Sequence, residues 1–356
     1  MIVLKSRFSY LATIVLVALF IAAGLAPNAS AQLALTSTGT TDGFSLSTFA
    51  TLDPGNTSCC GGPFGIAVAA NGDILVSNAN TASIYAFHDV DGQTILSALS
   101  TNPSNSSVNA YATAGGQAYG VQNSQYVQFN SNGTVNHVLS GVGFGPSLGM
   151  WGNPVNGHIL AQSGSGIIDI NPTANGGLGT ATLVNSTFGD GLSVSPDGLT
   201  VYSEQNGRII GYSIATGLQV FDSGFLPSNA ADIAAGLGNP DGAGVITSTN
   251  SLNGDIVVNF NGNGSNTGGI GLINPVTHEF SVIATGGTRG DYVSPDTNNG
   301  SLFLDYSDIV ARLSCGANCS IGGPPPVPEP ASLLLLGFGL AAVTGLSKKK
   351  RKQTEA

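Results

Sequence analysis

A two-residue turn set between apolar stretches recurs along this chain, and the recurrence constrains the fold more than any other feature. GIAVAANGDILVS at 65–77 alternates apolar and polar residues, breaks at Asn71-Gly72, and resumes the alternation. A dipeptide suited to positive φ in such a setting joins two antiparallel strands. Related stretches are YGVQNSQYVQF at 119–129, GMWGNPVNGHILAQ at 149–162, GLSVSPDGLTVYS at 191–203, SLNGDIVVNF at 251–260 and DYVSPDTNNGSLFLD at 291–305. Turns near 72, 124, 157, 198, 254 and 300 lie 52, 33, 41, 56 and 46 residues apart, a mean of about 46. That mean is the length of a four-stranded propeller blade and not of a helical repeat. No 3.6-residue apolar period runs through 32–314.

One four-stranded sheet cannot bury both its faces, whereas sheets stacked around an axis cover each other and leave only short edges. The expected fold is therefore all-β, a β-propeller of six blades. The uneven gaps leave seven blades open, and a β-sandwich or β-helix is the alternative architecture. Gly65, Gly120, Gly191 and Gly290 are expected just ahead of inner strands, where room is least. FSLSTFATLD at 44–53 offers a strand that closes the ring with the last blade. GPFGIAVAANGDILVSNANTASIYAF resembles a blade of the NHL type, and GLSVSPDGLTVYS is similar to YVTN and lactonase-like propellers. The resemblance covers about 62–314, and it implies a fold more than a function.

The two ends read as export and retention. Residues 1–31 carry Lys5 and Arg7, an uncharged apolar run from Leu11 to Ala26, and small residues at Ala29 and Ala31. These are the parts of a signal peptide cut before Gln32. At the other end, the order is a Cys- and Pro-rich linker at 315–330, an uncharged segment at 331–347 expected as a transmembrane sorting helix, and a basic cytoplasmic tail at 348–356. Lys348, Lys349, Lys350, Arg351 and Lys352 form a stop-transfer cluster, because cationic flanks stay on the cytoplasmic side. Pro328-Glu329-Pro330 followed by an apolar segment and a basic cluster resembles the PEP-CTERM sorting signal of Gram-negative bacteria. The resemblance implies that an exosortase, a membrane transpeptidase, recognises Pro328, Glu329 and Pro330. It further implies that the tail is removed and the body passed to the cell surface or polysaccharide matrix. A permanent single-span anchor is the alternative.

Between its ends the chain is acidic. Residues 32–330 hold nineteen Asp or Glu against Arg208, Arg289 and Arg312, with no lysine, a formal −16. Nucleic acid is excluded as a partner, since phosphate binding needs clustered Lys and Arg. Adhesion to anionic headgroups is disfavoured for the same reason. The acidic composition is compatible with solubility, divalent cations or neutral glycans and selects none of them, while surface polysaccharide or another surface protein is the expected partner.

Catalytic, cofactor and metal sites are not expected. His88, His137, His158 and His278 are scattered, and His278-Glu279 would point to opposite faces of an outer strand. Asp89-Val90-Asp91-Gly92 is similar to the start of a calcium loop but lacks its third ligand and distal glutamate, so a plain turn is expected. Trp151 reads as core. Asn56, Asn105, Asn132 and Asn185 begin Asn-x-Ser/Thr sequons and mark exposed loops. Cys59, Cys60, Cys315 and Cys319 are candidates for disulfides, either bridging the first and last blades or closing locally. The expected protein is thus a non-catalytic surface module, with a lactonase-like or lyase-like propeller enzyme as the alternative.

Overall fold

The structure is a computed structural model that describes residues 32–58, 61–104, 110–227, 237–262 and 267–323. The expected signal peptide, the sorting motif Pro328, Glu329 and Pro330, the basic cluster, and Cys59 and Cys60 lie outside the described residues.

The chain begins with β1 (Ala34–Leu35), a single helical turn α1 (Ser37–Thr41) and β2 (Ser45–Thr51). Four-stranded blades follow. Blade 1 is β3 (Pro63–Val68), β4 (Ile74–Asn78), β5 (Ser83–Phe87) and β7 (Ser100–Pro103), with the short β6 (Gln93–Thr94) in its last connection. Blade 2 is β8 (Tyr111–Ala114), β9 (Gln117–Gln122), β10 (Gln125–Phe129) and β11 (Val135–Val138). Blade 3 is β12 (Pro146–Gly152), β13 (Ile159–Ser163), β14 (Gly166–Asn171) and β15 (Thr180–Asn185). Blade 4 is β16 (Asp190–Val194), β17 (Thr200–Glu204), β18 (Ile209–Ser213) and β19 (Gln219–Asp222). Blade 5 is β20 (Asn239–Ser248), β21 (Ile256–Asn261), β22 (Gly268–Ile273) and β23 (Phe280–Gly287), with β1 added outside and β27 (Cys319–Ile321) inside. Blade 6 is β24 (Gly290–Pro295), β25 (Leu302–Tyr306), β26 (Ile309–Ser314) and the N-terminal β2.

The first strands of successive blades, β3, β8, β12, β16, β20 and β24, adjoin one another in a closed ring of six. Since each blade is an antiparallel meander, these inner strands all begin at one end of the channel. We call that end upper, and the end that carries the first and third hairpin connections of each blade lower. Both faces of a strand deep in a blade are covered by neighbouring blades, so Ile74, Leu75 and Val76 in the second strand β4 are all fully buried. The sequence alternation is therefore an alternation of packing partners, not of core and solvent.

Strand β2 closes the ring, as FSLSTFATLD led us to expect. It pairs antiparallel with β26 from Ser45↔Ser314 to Thr51↔Ile309. Phe49, fully buried, meets Phe303 of blade 6 at 4.8 Å and Phe87 of blade 1 at 6.2 Å between ring centroids. Beside them Arg312 lies 5.1 Å from the Phe49 ring and 4.9 Å from the Phe303 ring. Its guanidinium pairs with Asp89, with Asp91 at 3.3 Å and with the fully buried Asp296 at 3.5 Å. The Asp89-to-Gly92 segment, expected as a plain turn, is thus the counter-charge of the closing seam. Each charge here is costly to bury alone, and the guanidinium fork offsets that cost for several carboxylates at once.

Two sequence expectations are corrected. The Asn123-Ser124 turn joins β9 to β10 at the upper end, whereas the first hairpin of blade 2 turns at Gly115-Gly116. Both turns sit between apolar runs and have positive φ, so their local signals are alike. The correct turn spacing is more even than the sequence reading had it. Gly120 consequently lies within β9, where a Cβ would strike the Tyr111 and Phe129 rings. Second, 315–323 is part of the body and not a linker. Cys315 and Cys319 are bonded to each other, which excludes a bridge from either to Cys59 or Cys60. This local loop presents β27 to the last residues of β20, in the register Ile246↔Ile321 and Ser248↔Cys319.

Candidate functional site

Near the upper end of five inner strands, the pairing with the second strand slips. The slips fall between Pro63 and Ile66, Pro146 and Met150, Asp190 and Leu192, Pro240 and Gly242, and Gly290 and Val293. A β-bulge bends the strand and re-aims a side chain. These slips enclose Phe64, Asp241, Asp291 and Tyr292, beside the channel axis. Opposite them the second strands carry buried polar residues, among them Ser77, Gln162, Asn259 and Asp305. In blade 1 the purpose is direct: Ser77 Oγ accepts the Gly65 amide at 2.7 Å. Gly65, Gly191 and Gly290 lie in or beside these slips, near the starts of the inner strands and not ahead of them as the sequence reading had placed them.

Tyr292 seals the channel. Its hydroxyl lies 2.6 Å from the carbonyl oxygen of Met150 and also contacts that of Tyr111. Those carbonyls belong to blades 3 and 2, across the ring from blade 6. With one proton the hydroxyl can donate to one carbonyl at a time. Phe64 stacks on the Tyr292 ring at 6.2 Å, and full burial pushes the phenol well above its ordinary pKa. We call the upper end of the channel, above this plug, the dish.

Carboxylates gather around the dish on blades 4, 5 and 6. Asp190 begins β16, Glu204 ends β17 directly opposite it, Asp241 sits in the β20 slip, and Asp291 follows Gly290 in β24. Asp241 and Asp291 share a hydrogen bond, in which a protonated Asp241 serves Asp291. Burial first, then the charges of Asp291 and Asp190, push Asp241 well above the usual carboxylate range. Burial raises Asp291 to about 6, against the opposing pull of the Asp241 hydrogen bond and of Arg289. Asp190 is raised by burial, with its Oδ1 accepting the Gly191 amide at 2.8 Å. Glu204 is raised by burial and by Asp190, and accepts the Gly207 amide at 2.7 Å. Asn261 donates to Asp241 at 2.8 Å. Beneath them Asp305 is fully buried and raised well above its normal value, by burial and by Asp291. At neutral pH such a group holds acids in the neutral form beside ionised ones, so the dish both donates and accepts hydrogen bonds.

Sequence reasoning missed this cluster, although a signal was present. Gly-Asp-Gly at 189–191, Pro-Asp-Gly at 240–242 and Gly-Asp at 290–291 place an aspartate at the start of three successive inner strands. The residues weighed from sequence lie elsewhere. His88 pairs with Asp73 at 3.1 Å and His158 with Asp169 at 2.9 Å, in separate blades. His278 and Glu279 are exposed in the lower turn before β23, not within an outer strand, and His278 stacks on Phe221 at 5.7 Å. Trp151 is core. Two sequon asparagines are engaged, with Asn56 donating to Ser307 O at 3.0 Å and Asn185 to Gly217 O at 2.9 Å. Among the described residues no group of three or more His, Cys, Asp or Glu is arranged to hold a metal ion. Among them, too, no helix is long and apolar enough to cross a membrane.

Comparison with known proteins bears on the fold and on the tail. A gluconolactonase from Xanthomonas campestris superposes with a TM-score of 0.56 at 13% identity, over 81% of this chain and 96% of that one. A structural-genomics target with a proposed gluconolactonase assignment gives 0.52 at 11% identity, over 82% and 99%. At such identities the likeness establishes the architecture alone. No curated protein sequence matches the chain. Residues 326–351 match the PEP-CTERM protein-sorting motif, which covers Pro328, Glu329, Pro330 and most of the basic cluster. The chain is therefore a six-bladed β-propeller resembling gluconolactonase and NHL-type propellers, and its PEP-CTERM motif marks it as an exported, sorted protein with a membrane-anchored C-terminus.

Proposed function

We propose that this protein is a non-catalytic interaction module of the cell surface or extracellular matrix, held first by its tail and then processed by an exosortase. Its upper dish binds neutral, hydroxyl-rich groups of the kind surface polysaccharides present. The observation that carries this reading is the upper carboxyl cluster beside the Tyr292 plug, in which neutral and ionised carboxyl groups stand together. Such a rim matches hydroxyls, which donate and accept in equal measure. An acidic body without lysine is suited to neutral glycans rather than to anionic ones. The test is cell fractionation with mass spectrometry of the recovered protein, joined to a pull-down on the polysaccharide of the producing cells. Loss of the C-terminal peptide from surface-recovered protein, with polysaccharide retention weakened by Asp291→Asn, is expected. Full-length protein confined to the cytoplasm, or retention indifferent to that substitution, would overturn it.

A second reading, a lactonase-class hydrolase, is favoured by the proton-sharing pair of Asp241 and Asp291. One neutral and one ionised carboxyl group are the elements of general acid and base catalysis. Turnover of an aldonolactone, with and without added divalent cation, that is abolished by Asp241→Asn would establish it in place of the first.

A further inference from the structure

The C-terminal segment leaves the ring on its axis. β27 pairs with the inner strand of blade 5 on the side away from β21, at that strand's lower end. The Ile321 amide bonds Gly300 O of blade 6 at 2.9 Å, and the Gly322 amide bonds Val245 O of blade 5 at 2.7 Å. Gly322 also abuts the Trp151 ring of blade 3, across the channel, where a Cβ would clash. Residues 319–323 therefore cork the lower end of the channel, and Gly323 opens onto a lower-face groove lined by Gly115, Asn153, Val155 and Pro295.

Only seven residues, 324–330, separate Gly323 from the uncharged segment that begins at Ala331. The eight Cα–Cα steps from Gly323 to Ala331, fully extended, reach about 29 Å at most. Passing round the ring takes more, because three strand spacings of about 4.8 Å and the height of a five-residue strand at about 3.3 Å per residue already exceed ~30 Å. The upper dish cannot face a membrane that holds this tail.

The lower face also carries exposed apolar tips. Val90, Val155, Leu178, Leu199, Leu218 and Val276 are between 49% and 86% exposed, and all lie in the lower connections of blades 1, 3, 4 and 5. Among the described residues the upper connections expose two large apolar side chains, Phe188 and Phe225, and Arg208 lies 4.1 Å from the Phe225 ring. The same connections carry the exposed Asp91, Asp197 and Glu279, so the lower face is an amphipathic rim of separate apolar tips and not one continuous apolar patch.

We propose that the lower face lies on the lipid bilayer while the tail is in place, its apolar tips set at headgroup depth and its acidic dish turned outward. The occupant is a lipid surface and not a second protein, because Gly323, the last described residue, leaves the centre of this face seven residues ahead of the uncharged segment that begins at Ala331. Zwitterionic lipid is the fitting surface, since the body carries no lysine to hold anionic headgroups. The inference rests on the tail anchoring assigned under the proposed function.

The test uses the full chain reconstituted into phosphatidylcholine vesicles, carrying Leu218→Trp on the lower face or Phe188→Trp on the upper. Trp151, the chain's one tryptophan and fully buried, gives a common background. Brominated phosphatidylcholine is expected to quench the added Leu218→Trp emission at least twofold and to leave that of Phe188→Trp unchanged. Equal quenching at both positions, or quenching at Phe188→Trp alone, would overturn the orientation. Co-flotation of the chain with vesicles and no quenching of Leu218→Trp would sink the bilayer contact while leaving the anchor intact. Failure to float at all would sink both.

Discussion

Aspartates gather at both ends of this propeller, and the two gatherings are built differently. At the lower end Asp89, Asp91 and Asp296 surround the Arg312 guanidinium, which is also clasped by the Phe49 and Phe303 rings. At the upper end Asp190, Asp241 and Asp291 crowd together with Arg289 as a weak counter-charge and with one another as the main company. The lower cluster ties the first blade to the last. The upper cluster links blades 5 and 6 only through the Asp241–Asp291 hydrogen bond, and burial keeps part of it neutral. The difference teaches that carboxylate density alone does not identify a site, whereas the presence or absence of a buried cation tells a clasp from a binding surface.

The largest effect is expected from removing the cation of the lower cluster. Arg312→Ala strands a fully buried Asp296 and should cost about 3–5 kcal/mol in chemical denaturation. A loss below ~1 kcal/mol would mean that the two clusters do not differ as described.

Next comes pH. Asp255, Asp291 and Asp296 are each raised to about 6, chiefly by burial. The folded state thus binds protons more tightly than the unfolded chain, so this contribution to stability is full below about pH 4 and is lost as pH rises from there through 6. Thermal unfolding should give a Tm several degrees higher at pH 5 than at pH 7.5, and Asp291→Asn should flatten the dependence. A Tm that rises with pH over this window would contradict the burial of these three carboxyl groups, of which Asp291 alone belongs to the upper cluster.

Tyr292→Phe probes the floor between the two ends. It leaves the Tyr111 and Met150 carbonyls without their hydroxyl partner and should cost about 1–3 kcal/mol. A neutral outcome would show that the channel is not sealed there.

The smallest change is of opposite sign. Asp241→Asn can still accept from Asn261 and donate to Asp291, yet it carries no charge at any pH. A gain of roughly 1 kcal/mol at pH 7.5 is expected, because the buried side chain no longer has to take up a proton on folding. Destabilisation of the Arg312→Ala kind would make the upper cluster a clasp too.

Much of the architecture was legible in the sequence, because a blade is a local object. Each hairpin announces itself by a turn dipeptide between apolar runs, and the closing strand β2 stood out at 44–53 as a run with no partner of its own. Register within a blade was less secure, since Asn123-Ser124 and Gly115-Gly116 send the same local signal from opposite ends of β9. The site was not legible for a different reason. Asp241 and Asp291 are fifty residues apart in sequence and meet through a bulge, which shows in backbone register and not in side-chain pattern. The Arg312 seam joins residues more than two hundred positions apart, a pairing that closure of the ring alone brings about.

The central claim is that an exported propeller is held through its C-terminal motif. Intact-mass spectrometry after fractionation of producing cells tests it most directly, on the native chain and on one lacking 326–351. The account predicts that the native chain is found at the membrane or surface without its first 31 residues, and that the truncated chain is released into the soluble exported fraction. Recovery of the native chain from the cytoplasm with residues 1–31 attached would contradict it.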